Sequence, residues 1–214
     1  VEIITNLADR ETVAQRLVNC MSEIFIEEGV KHAQELDDYR ASTGNLEGSL
    51  HGLPISFKDN LNIKGQATTI GMVSFCFDPP VFDYDSTIVD ILRKMGAVFY
   101  VKTNVPVAMM MPESINHIYG NTLNPFNRNL SAGGSSGGEA ALLALKGSPV
   151  GIGSDIGGSI RIPASFQNLY SIRPSFGRFP TYGSRSGLPG LESVNSVNGP
   201  LSASLDAIEV YSKC

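Results

Sequence analysis

The sequence lacks the features that mark membrane-spanning, secreted and nucleic-acid-binding proteins. No apolar run approaches the roughly 18 residues that a membrane-spanning helix needs. The first residues, VEIITNLADRE, have neither the basic region nor the apolar region of a secretory signal. The 16 Lys and Arg residues are scattered among 21 Asp and Glu residues and form no basic run. These absences predict a protein with no membrane span and no nucleic-acid partner.

Cysteine is also scarce, with only Cys20, Cys76 and Cys214 in the chain. An odd number of cysteines without metal-ligand spacing argues against a disulfide framework and against a structural metal site. We therefore expect a reducing, cytoplasmic location and no bound metal. Each cysteine is interpreted as a small buried apolar residue.

The distribution of apolar residues predicts an α/β fold. Hydrophobic residues make up 42% of the 214 residues, which is enough for a large core. Apolar periodicity predicts two amphipathic helices within residues 11–39, with Val13, Leu17, Met21 and Ile24 on one face of the first. Further helices are expected over 87–95, around 109–111, and over 139–146, 160–166 and 205–211. Strands are expected over 53–62, 97–102 and 150–154, and loops over 78–85 and from 174 to 204. Strands that alternate with helices indicate a sheet with helices on both faces.

Residues 133–161, GGSSGGEAALLALKGSPVGIGSDIGGSIR, contain two glycine-flanked serine turns. One turn holds Ser135 and Ser136, and the other holds Ser159. Gly- and Ser-rich stretches are often flexible linkers, but an apolar, helix-forming run over 140–145 lies between these two turns. Because a linker has no need of such a run, we interpret both turns as structured.

The second turn, DIGGS, is a candidate oxyanion hole beside a serine hydroxyl. Its small residues let successive backbone N–H groups converge on one point. Those N–H groups belong to Ile156, Gly157, Gly158 and Ser159. A serine hydroxyl is a poor nucleophile until a base takes its proton, so the turn also needs a base nearby.

Lys58 is the best candidate for that base. The three histidines lie in no pattern that supports the role; they are His32, His51 and His117. Lys58 ends an apolar strand, where burial would lower the pKa of its ammonium group. Ser135 could then relay a proton from Ser159 to Lys58, because a hydroxyl can donate and accept at once.

Other glycine motifs fit the sequence less well. No GK[ST] follows GGSSGGE, as a Walker loop requires. The stretch GIGSDIGG lacks the glycine spacing of a dinucleotide-binding fingerprint. Neither stretch matches the G-x-S-x-G motif of α/β-hydrolases.

Four stretches carry a family resemblance. They are GLPISFKDNLNIKG around Lys58, YVKTNVP at Tyr100, GNTLNPFNRN at Gly120, and SAGGSSGGEAALLALKGSPVGIGSDIGGSIRIPASF from Ser131. In these stretches the sequence resembles the amidase signature family, with most similarity to its fungal acetamidase-like and fatty acid amide hydrolase-like members. The resemblance implies an amidase signature fold with a mixed central sheet and hydrolysis of linear amides through an acyl-enzyme. It further implies no metal or cofactor, a small-molecule amide substrate and, as the candidate assembly, a homodimer.

The resemblance also assigns roles to residues through a Ser–cis-Ser–Lys triad. Lys58 matches the catalytic lysine, Ser135 the bridging serine after a cis Gly134–Ser135 peptide, and Ser159 the acylated nucleophile. The oxyanion-hole amides are matched by Ile156, Gly157, Gly158 and Ser159. Met109 matches a position that lines the substrate site, with a core methionine as the equal alternative. The polar residues that support the two turns are matched by Ser136, Asp155 and Arg161.

The sequence departs from the family in length and at three positions. Family members are much longer than 214 residues, so we expect residues 1–214 to be the N-terminal part of a single amidase signature domain, with the C-terminal part absent. Asn168, Ser171 and Arg173 replace small residues and a lysine that are usual in the family. Two alternatives to an amidohydrolase stay open: an aminoacyl-tRNA amidotransferase subunit that releases ammonia for a partner enzyme, and a catalytically silent fragment or binding protein.

Overall fold

The computed structural model describes residues 1–77 and 81–213, and its centre is a six-stranded sheet. The helices in this part of the chain are α1 Glu2–Val18, α2 Ile26–Thr43, α3 Ser74–Phe77, α4 Thr87–Lys94, α5 Gly137–Ala144, α6 Arg161–Phe166 and α7 Leu205–Lys213. The strands are β1 Met21–Ile24, β2 Pro54–Lys58, β3 Val98–Thr103, β4 Ile115–Asn116, β5 Gly120–Asn121, β6 Val150–Asp155, β7 Tyr170–Ser171 and β8 Val197–Ser202. None of these helices is both long enough and apolar enough to cross a membrane.

The sheet is mixed, with the strand order β1-β3-β2-β6-β8-β7. Its three central strands, β3, β2 and β6, run parallel, so their carboxyl ends meet at one edge. The strands β1 and β8 pair antiparallel on either side, and β7 pairs antiparallel with β8. The strands β4 and β5 form a separate two-stranded sheet.

Alternation along the strands separates the two faces of the sheet. On β2, Ile55 and Phe57 join a buried cluster with Phe99 and Ile152 that packs against α4 and α7. On β3, Val98 and Tyr100 face the other way, into a cluster with α1, α2 and α5. The prediction of a sheet with helices on both faces is therefore confirmed.

Helix α5 lies at the centre of the second face. Its residues 137–143 are all buried, and Ala141 and Leu142 pack with Tyr100 on β3. Because α5 is covered on every side, its run of apolar residues carries no polar stripe. The apolar segment between the two serine turns thus presses both turns against the sheet.

The prediction for residues 11–39 is wrong in its first half. The first helix begins at Glu2 and ends at Val18, and residues Met21–Ile24 form the edge strand β1. Val13 and Leu17 are exposed, while the face that packs inward carries Ile4, Glu11, Ala14 and Val18. Asn19 ends α1 in the left-handed conformation, with φ of 54°, which the 3.6-residue pattern of apolar residues could not reveal.

The helix predicted around 109–111 is also wrong. The chain forms only a single 3₁₀ turn over Val107–Met109, in which Ala108 and Met109 have left-handed φ values of 53° and 60°. Pro106 and Pro112 flank this segment. Because proline disrupts the interior of a helix, a helix here could form only between the two prolines. That segment is too short for a stable helix.

The prediction that the cysteines are buried is confirmed at one position and wrong at another. Cys20 is buried as predicted, but Cys76 is exposed, which contradicts its interpretation as a buried residue. Cys214 and residues 78–80 of the predicted loop lie outside the described residues.

The strand β8 falls within the predicted loop from 174 to 204. Its Gly199 and Pro200 disfavour a strand locally, and pairing with β6 overrides this local preference.

Gly29 sets how closely α2 approaches β3. A Cβ atom at this position would lie 2.8 Å from the Phe99 carbonyl oxygen and 3.0 Å from Tyr100 Cβ. Alanine is the better helix former by about 1 kcal/mol, but overpacking a buried contact costs about 1 to 3 kcal/mol. We predict that Gly29→Ala lowers the free energy of unfolding, measured by urea denaturation.

The exposed Lys31 on the same helix supplies the control for this prediction. Lys31→Ala should change the free energy of unfolding by no more than about 0.5 kcal/mol. A gain in stability for Gly29→Ala would contradict the tight contact between α2 and β3.

Candidate active site

The Lys58 amine lies at the carboxyl end of β2, on the sheet face covered by α5. The side chain is 0% exposed. Its Nζ donates hydrogen bonds to Ser135 Oγ at 2.7 Å, to Ser154 Oγ at 2.8 Å and to the Ser154 carbonyl oxygen at 3.2 Å. The predicted contact between Lys58 and Ser135 is therefore present in the structure.

Burial lowers the pKa of Lys58 to about 7, although the negative charges of Asp155 and Glu139 act in the opposite direction. An ammonium group loses its hydration when it is buried, so the neutral amine becomes accessible near neutral pH. A neutral amine offers one lone pair, and at the same 2.7 Å separation the Ser135 hydroxyl can donate to it.

Ser135 follows a cis peptide bond with Gly134, as the family resemblance implies. The bond lies in a tight turn in which Gly133 has a φ of 78°. At Gly134 a Cβ atom would overlap the backbone of Glu113. The glycines before Ser135 are thus required by backbone conformation and by space.

The two serine turns meet at the edge of the sheet. The Ser136 N–H donates to the Ser159 carbonyl oxygen at 3.1 Å, and Ser136 Oγ donates to the Ser154 carbonyl oxygen at 3.4 Å. Ser159 is half-buried. Within residues 1–77 and 81–213, no hydrogen bond joins its hydroxyl to that of Ser135. Of the two contacts that the predicted relay needs, the one between Lys58 and Ser135 is present, and the one between Ser135 and Ser159 is not.

Ser159 opens onto a cavity of about 290 Å³. Its other lining residues are Met109, Met110, Met111, Pro112, Gly134, Ile156, Gly157 and Ile162. Met109 is half-buried and lines this cavity, so the structure places it beside Ser159 rather than in the core.

Asp155 holds the second turn in place. Its carboxylate accepts hydrogen bonds from the N–H groups of Gly158 and Ile160, at 2.8 and 3.1 Å, and from the Arg161 guanidinium at 3.0 and 3.1 Å. Burial alone would raise the pKa of this carboxyl. The hydrogen bonds from Arg161, Gly158 and Ile160 outweigh burial and lower the pKa to about 2.

The same contacts separate the four predicted oxyanion-hole amides into two groups. The Gly158 N–H already donates to Asp155, and Gly158 does not line the cavity. Ile156, Gly157 and Ser159 do line it. Their N–H groups donate no hydrogen bond within the described part of the chain, so three amides are available to a ligand.

Sequence reasoning missed three residues of this site. Ser154 accepts from Lys58, Glu139 accepts from Ser56 and from Thr103, and Arg173 Nε lies 3.3 Å from Asp155 Oδ1. Glu139 precedes the apolar run of 140–145 and lies in the first turn of α5, where an acidic residue is common, so its position carried no signal of burial. Arg173 had been noted only as a departure from the family.

Metal-binding groups are absent from the described residues, in which no cluster of three or more His, Cys, Asp or Glu side chains could hold an ion. The histidines are not part of the site described above. His51, for example, lies before β2, where its Nδ1 accepts a hydrogen bond from the Glu47 N–H at 3.0 Å. The groups around Ser159 are hydroxyls, backbone amides and one amine.

This fold and this arrangement of two serine turns around a buried lysine are those of the amidases. The sequence model described as Amidase matches residues 2–214, and the chain belongs to that family. The chain is 45% identical, over 215 residues, to the acetamidase of Emericella nidulans, covering 100% of the chain and 38% of that protein. It therefore spans about two fifths of the length of this relative.

Solved structures agree with this assignment. A fatty acid amide hydrolase superposes with a TM-score of 0.95 at 43% identity, over 99% of this chain and 37% of that one. A bacterial aryl acylamidase of the amidase signature family superposes with a TM-score of 0.89 at 30% identity, over 99% of this chain and 43% of that one. The expected amidase signature fold is thus confirmed.

The contacts of Asp155 lead to a stability prediction. Asp155→Asn removes a buried charge that two guanidinium groups and two backbone amides share, so we expect a loss of about 2 to 4 kcal/mol in the free energy of unfolding. Asp90→Asn is the control, because Asp90 forms a largely exposed pair with Lys94 and should cost no more than about 0.5 kcal/mol. Urea denaturation measures both variants, and equal small effects would contradict the anchoring role of Asp155.

Proposed function

We propose that the protein containing this chain is a serine amidohydrolase, which converts a linear carboxylic acid amide into the acid and ammonia or an amine. The observation that carries the proposal is the 2.7 Å contact between the buried Lys58 amine and Ser135. The turn that holds Ser135 is joined to the turn of Ser159, and Ser159 opens onto a cavity. Membership of the amidase family supports the reaction class. The residues of this chain supply each group that the reaction needs.

The reaction begins with removal of a proton from Ser159. Neutral Lys58 accepts the Ser135 proton while Ser135 accepts the Ser159 proton, and the Ser159 oxygen forms a bond to the amide carbonyl carbon. The carbonyl oxygen becomes an oxyanion. The N–H groups of Ile156, Gly157 and Ser159 stabilise its charge, because these residues line the cavity and the contacts of Asp155 hold their turn in place before the reaction starts.

The tetrahedral intermediate then breaks its C–N bond. The proton held by Lys58 returns through Ser135 to the leaving nitrogen, so that ammonia or an amine departs and an ester forms on Ser159. Water attacks this acyl-enzyme with the same relay as base, which releases the acid and restores Ser159. Each turnover returns Lys58 to the neutral state.

The cavity favours a substrate whose acyl group has apolar surface. Three methionines and Ile162 form much of its lining, and flexible thioether side chains adapt to differently shaped apolar groups. The relatives described above range from an acetamidase to a fatty acid amide hydrolase. Within that span we propose amides of small to medium aliphatic acids.

Covalent labelling tests the nucleophile. A fluorophosphonate should label Ser159 in the unaltered protein and should not label Ser159→Ala. Lys58→Ala should slow labelling by about 10²- to 10⁴-fold, since general-base assistance is lost. Ser135→Ala should slow it to the extent that water cannot replace the relay.

Ammonia or amine release from simple aliphatic amides is the matching assay of turnover. Lys102→Met serves as a second-lysine comparison, because Lys102 is also buried but pairs with Asp59. It should leave the pH dependence of labelling unaltered in protein that folds. Equal labelling of Ser159→Ala and the unaltered protein would overturn the proposed nucleophile.

The pKa of Lys58 predicts the pH dependence of labelling. With a pKa of about 7, the base is protonated and inactive at lower pH and neutral at higher pH. The labelling rate constant should therefore rise with pH through a midpoint near 7 and then level off. A rate constant that does not change between about pH 5.5 and 8.5 would exclude Lys58 as the base.

A further inference from the structure

Glu139 is a fully buried acid, on the third residue of α5, that the proposed reaction does not use. Its side chain is 0% exposed. Ser56 Oγ donates a short hydrogen bond to one carboxyl oxygen, and Thr103 Oγ1 donates to the other at 2.6 Å. One carboxyl group thus joins α5 to β2 and β3.

The sheet is shaped to receive this carboxyl group. Gly151 on β6 lies under it, and a Cβ atom there would overlap Glu139 Oε1. Ser56 and Lys58 are two residues apart on β2, so both side chains project from the same face of the sheet. Glu139 and the Lys58 amine therefore share one buried layer between α5 and the sheet.

The charge of Glu139 has no cationic partner in direct contact. Among the ion pairs of the described residues none involves Glu139, whereas Asp155 has both Arg161 and Arg173. The positive charge that acts on Glu139 is that of Lys58. In a buried layer, two such charges influence each other strongly even without touching.

Of the other ionisable groups near this layer, all except Glu11 hold a fixed charge state around neutral pH. Tyr100 on β3 and Cys20 before β1 stay neutral, because burial first and then negative neighbours raise their pKa values well above the usual range. Asp155 on β6 stays ionised, and its constant charge raises the pKa of Lys58 more than the charge of Glu139 does. Glu11 on α1, whose pKa burial raises to about 8, acts on Tyr100 and Cys20, and no effect of Glu11 on Lys58 or Glu139 is found.

We propose that Glu139 is a positioning residue that sets the charge state of Lys58 in the resting site. An ionised Glu139 favours the ammonium form of Lys58, which cannot accept a proton. A protonated Glu139 leaves Lys58 as the neutral amine that the relay requires. The inference rests on the proposed function, because only there does the charge of Lys58 decide the rate.

The balance between the two states lies close to neutral pH. Burial lowers the pKa of Lys58 to about 7 and raises that of Glu139 to about 7, although the hydroxyls of Ser56 and Thr103 oppose the second change. A charged pair and a neutral pair carry the same number of protons, so the site can move from –NH₃⁺/–COO⁻ to –NH₂/–COOH without exchange with solvent. The two groups titrate as a unit.

Glu139→Gln tests this inference, since glutamine keeps the size and an oxygen acceptor but cannot be charged. Loss of the negative charge makes the ammonium form of Lys58 less favourable. The midpoint of the pH dependence of Ser159 labelling should then fall by about one pH unit. A midpoint unchanged in a folded Glu139→Gln protein, with only a lower plateau, would overturn the proposal and leave Glu139 a packing residue.

Thr103→Val provides a second variant that preserves side-chain shape. Removing one donor keeps Glu139 protonated to higher pH, so the midpoint should move in the same direction by a smaller amount. Ser148→Ala is the control, because its buried hydroxyl donates to the Val150 carbonyl oxygen and does not contact Glu139. Should Glu139→Gln not fold, an unchanged midpoint in Thr103→Val would overturn the proposal.

The pH dependence of the free energy of unfolding gives a readout that needs no activity. Glu139 has its folded pKa raised from 4.5 to about 7, so its contribution to stability is present below 4.5 and is lost as pH rises through about 7. Lys58 has its folded pKa lowered from 10.5 to about 7, so its contribution is present above 10.5 and is lost as pH falls through about 7. Together they should produce a minimum near pH 7.

Glu139→Gln should remove the part of the fall that Glu139 causes, leave the part that Glu11 causes through its own raised pKa of about 8, and move the start of the rise to lower pH. A stability difference between the unaltered and variant proteins that stays constant from pH 4.5 upward would overturn the inference. If the unaltered protein does not label at Ser159, the proposed function fails, and the unfolding curves still decide whether Glu139 controls Lys58. If labelling occurs but neither curve changes in the variant, the inference fails alone.

Discussion

The site depends on the burial of one amine without a carboxylate in contact. Lys58 ends β2, Lys102 is the last residue but one of the neighbouring parallel strand β3, and both side chains are 0% exposed. Lys102 Nζ lies 3.1 Å from Asp59 Oδ1, and that charge opposes the effect of burial on the pKa of Lys102. Lys58 contacts only hydroxyl and carbonyl oxygens. The same residue type near the ends of two neighbouring strands therefore has two uses: a buried ion pair that ties Asp59 to the sheet, and an amine that can give up its proton near neutral pH.

Burial of Lys58 requires α5 to lie very close to the sheet. Glycines on α5 and β6 make this approach possible. A Cβ atom at Gly138 would lie 2.5 Å from the backbone N and O of Asn104, and one at Gly153 would lie 2.8 Å from Ser136 Oγ. Larger residues at these positions would separate α5, and Ser135 with it, from Lys58. The glycines thus serve close packing as much as turn conformation.

Features that show in neighbouring residues of the sequence could be predicted, and features that depend on contacts between distant elements could not. Lys58 was identifiable because a lysine that ends an apolar strand is a local anomaly, and the serine turns were identifiable because their glycines surround an apolar helix. Ser154 and Arg173 were missed because their partners lie on other elements, and nothing in their own surroundings indicates those contacts. The strand β8 was missed for the same reason: its Gly199 and Pro200 oppose a strand locally, and only pairing with β6 explains it. Val13 and Leu17 were placed in the core because their spacing fits a helix, but α1 buries a different face.

The contacts around Ser159 explain how the turn that carries it is held in place. Asp155 fixes Gly158, Ile160 and Arg161, and Arg173 continues this network to the Asn195 carbonyl oxygen at 3.1 Å. The Ser136 N–H holds the Ser159 carbonyl oxygen, so the backbones of the two turns are joined directly. The backbones of both turns are thus held, while no hydrogen bond within the described residues joins the Ser159 hydroxyl to that of Ser135. Under the proposed function, amides held in this way need no rearrangement to stabilise the oxyanion.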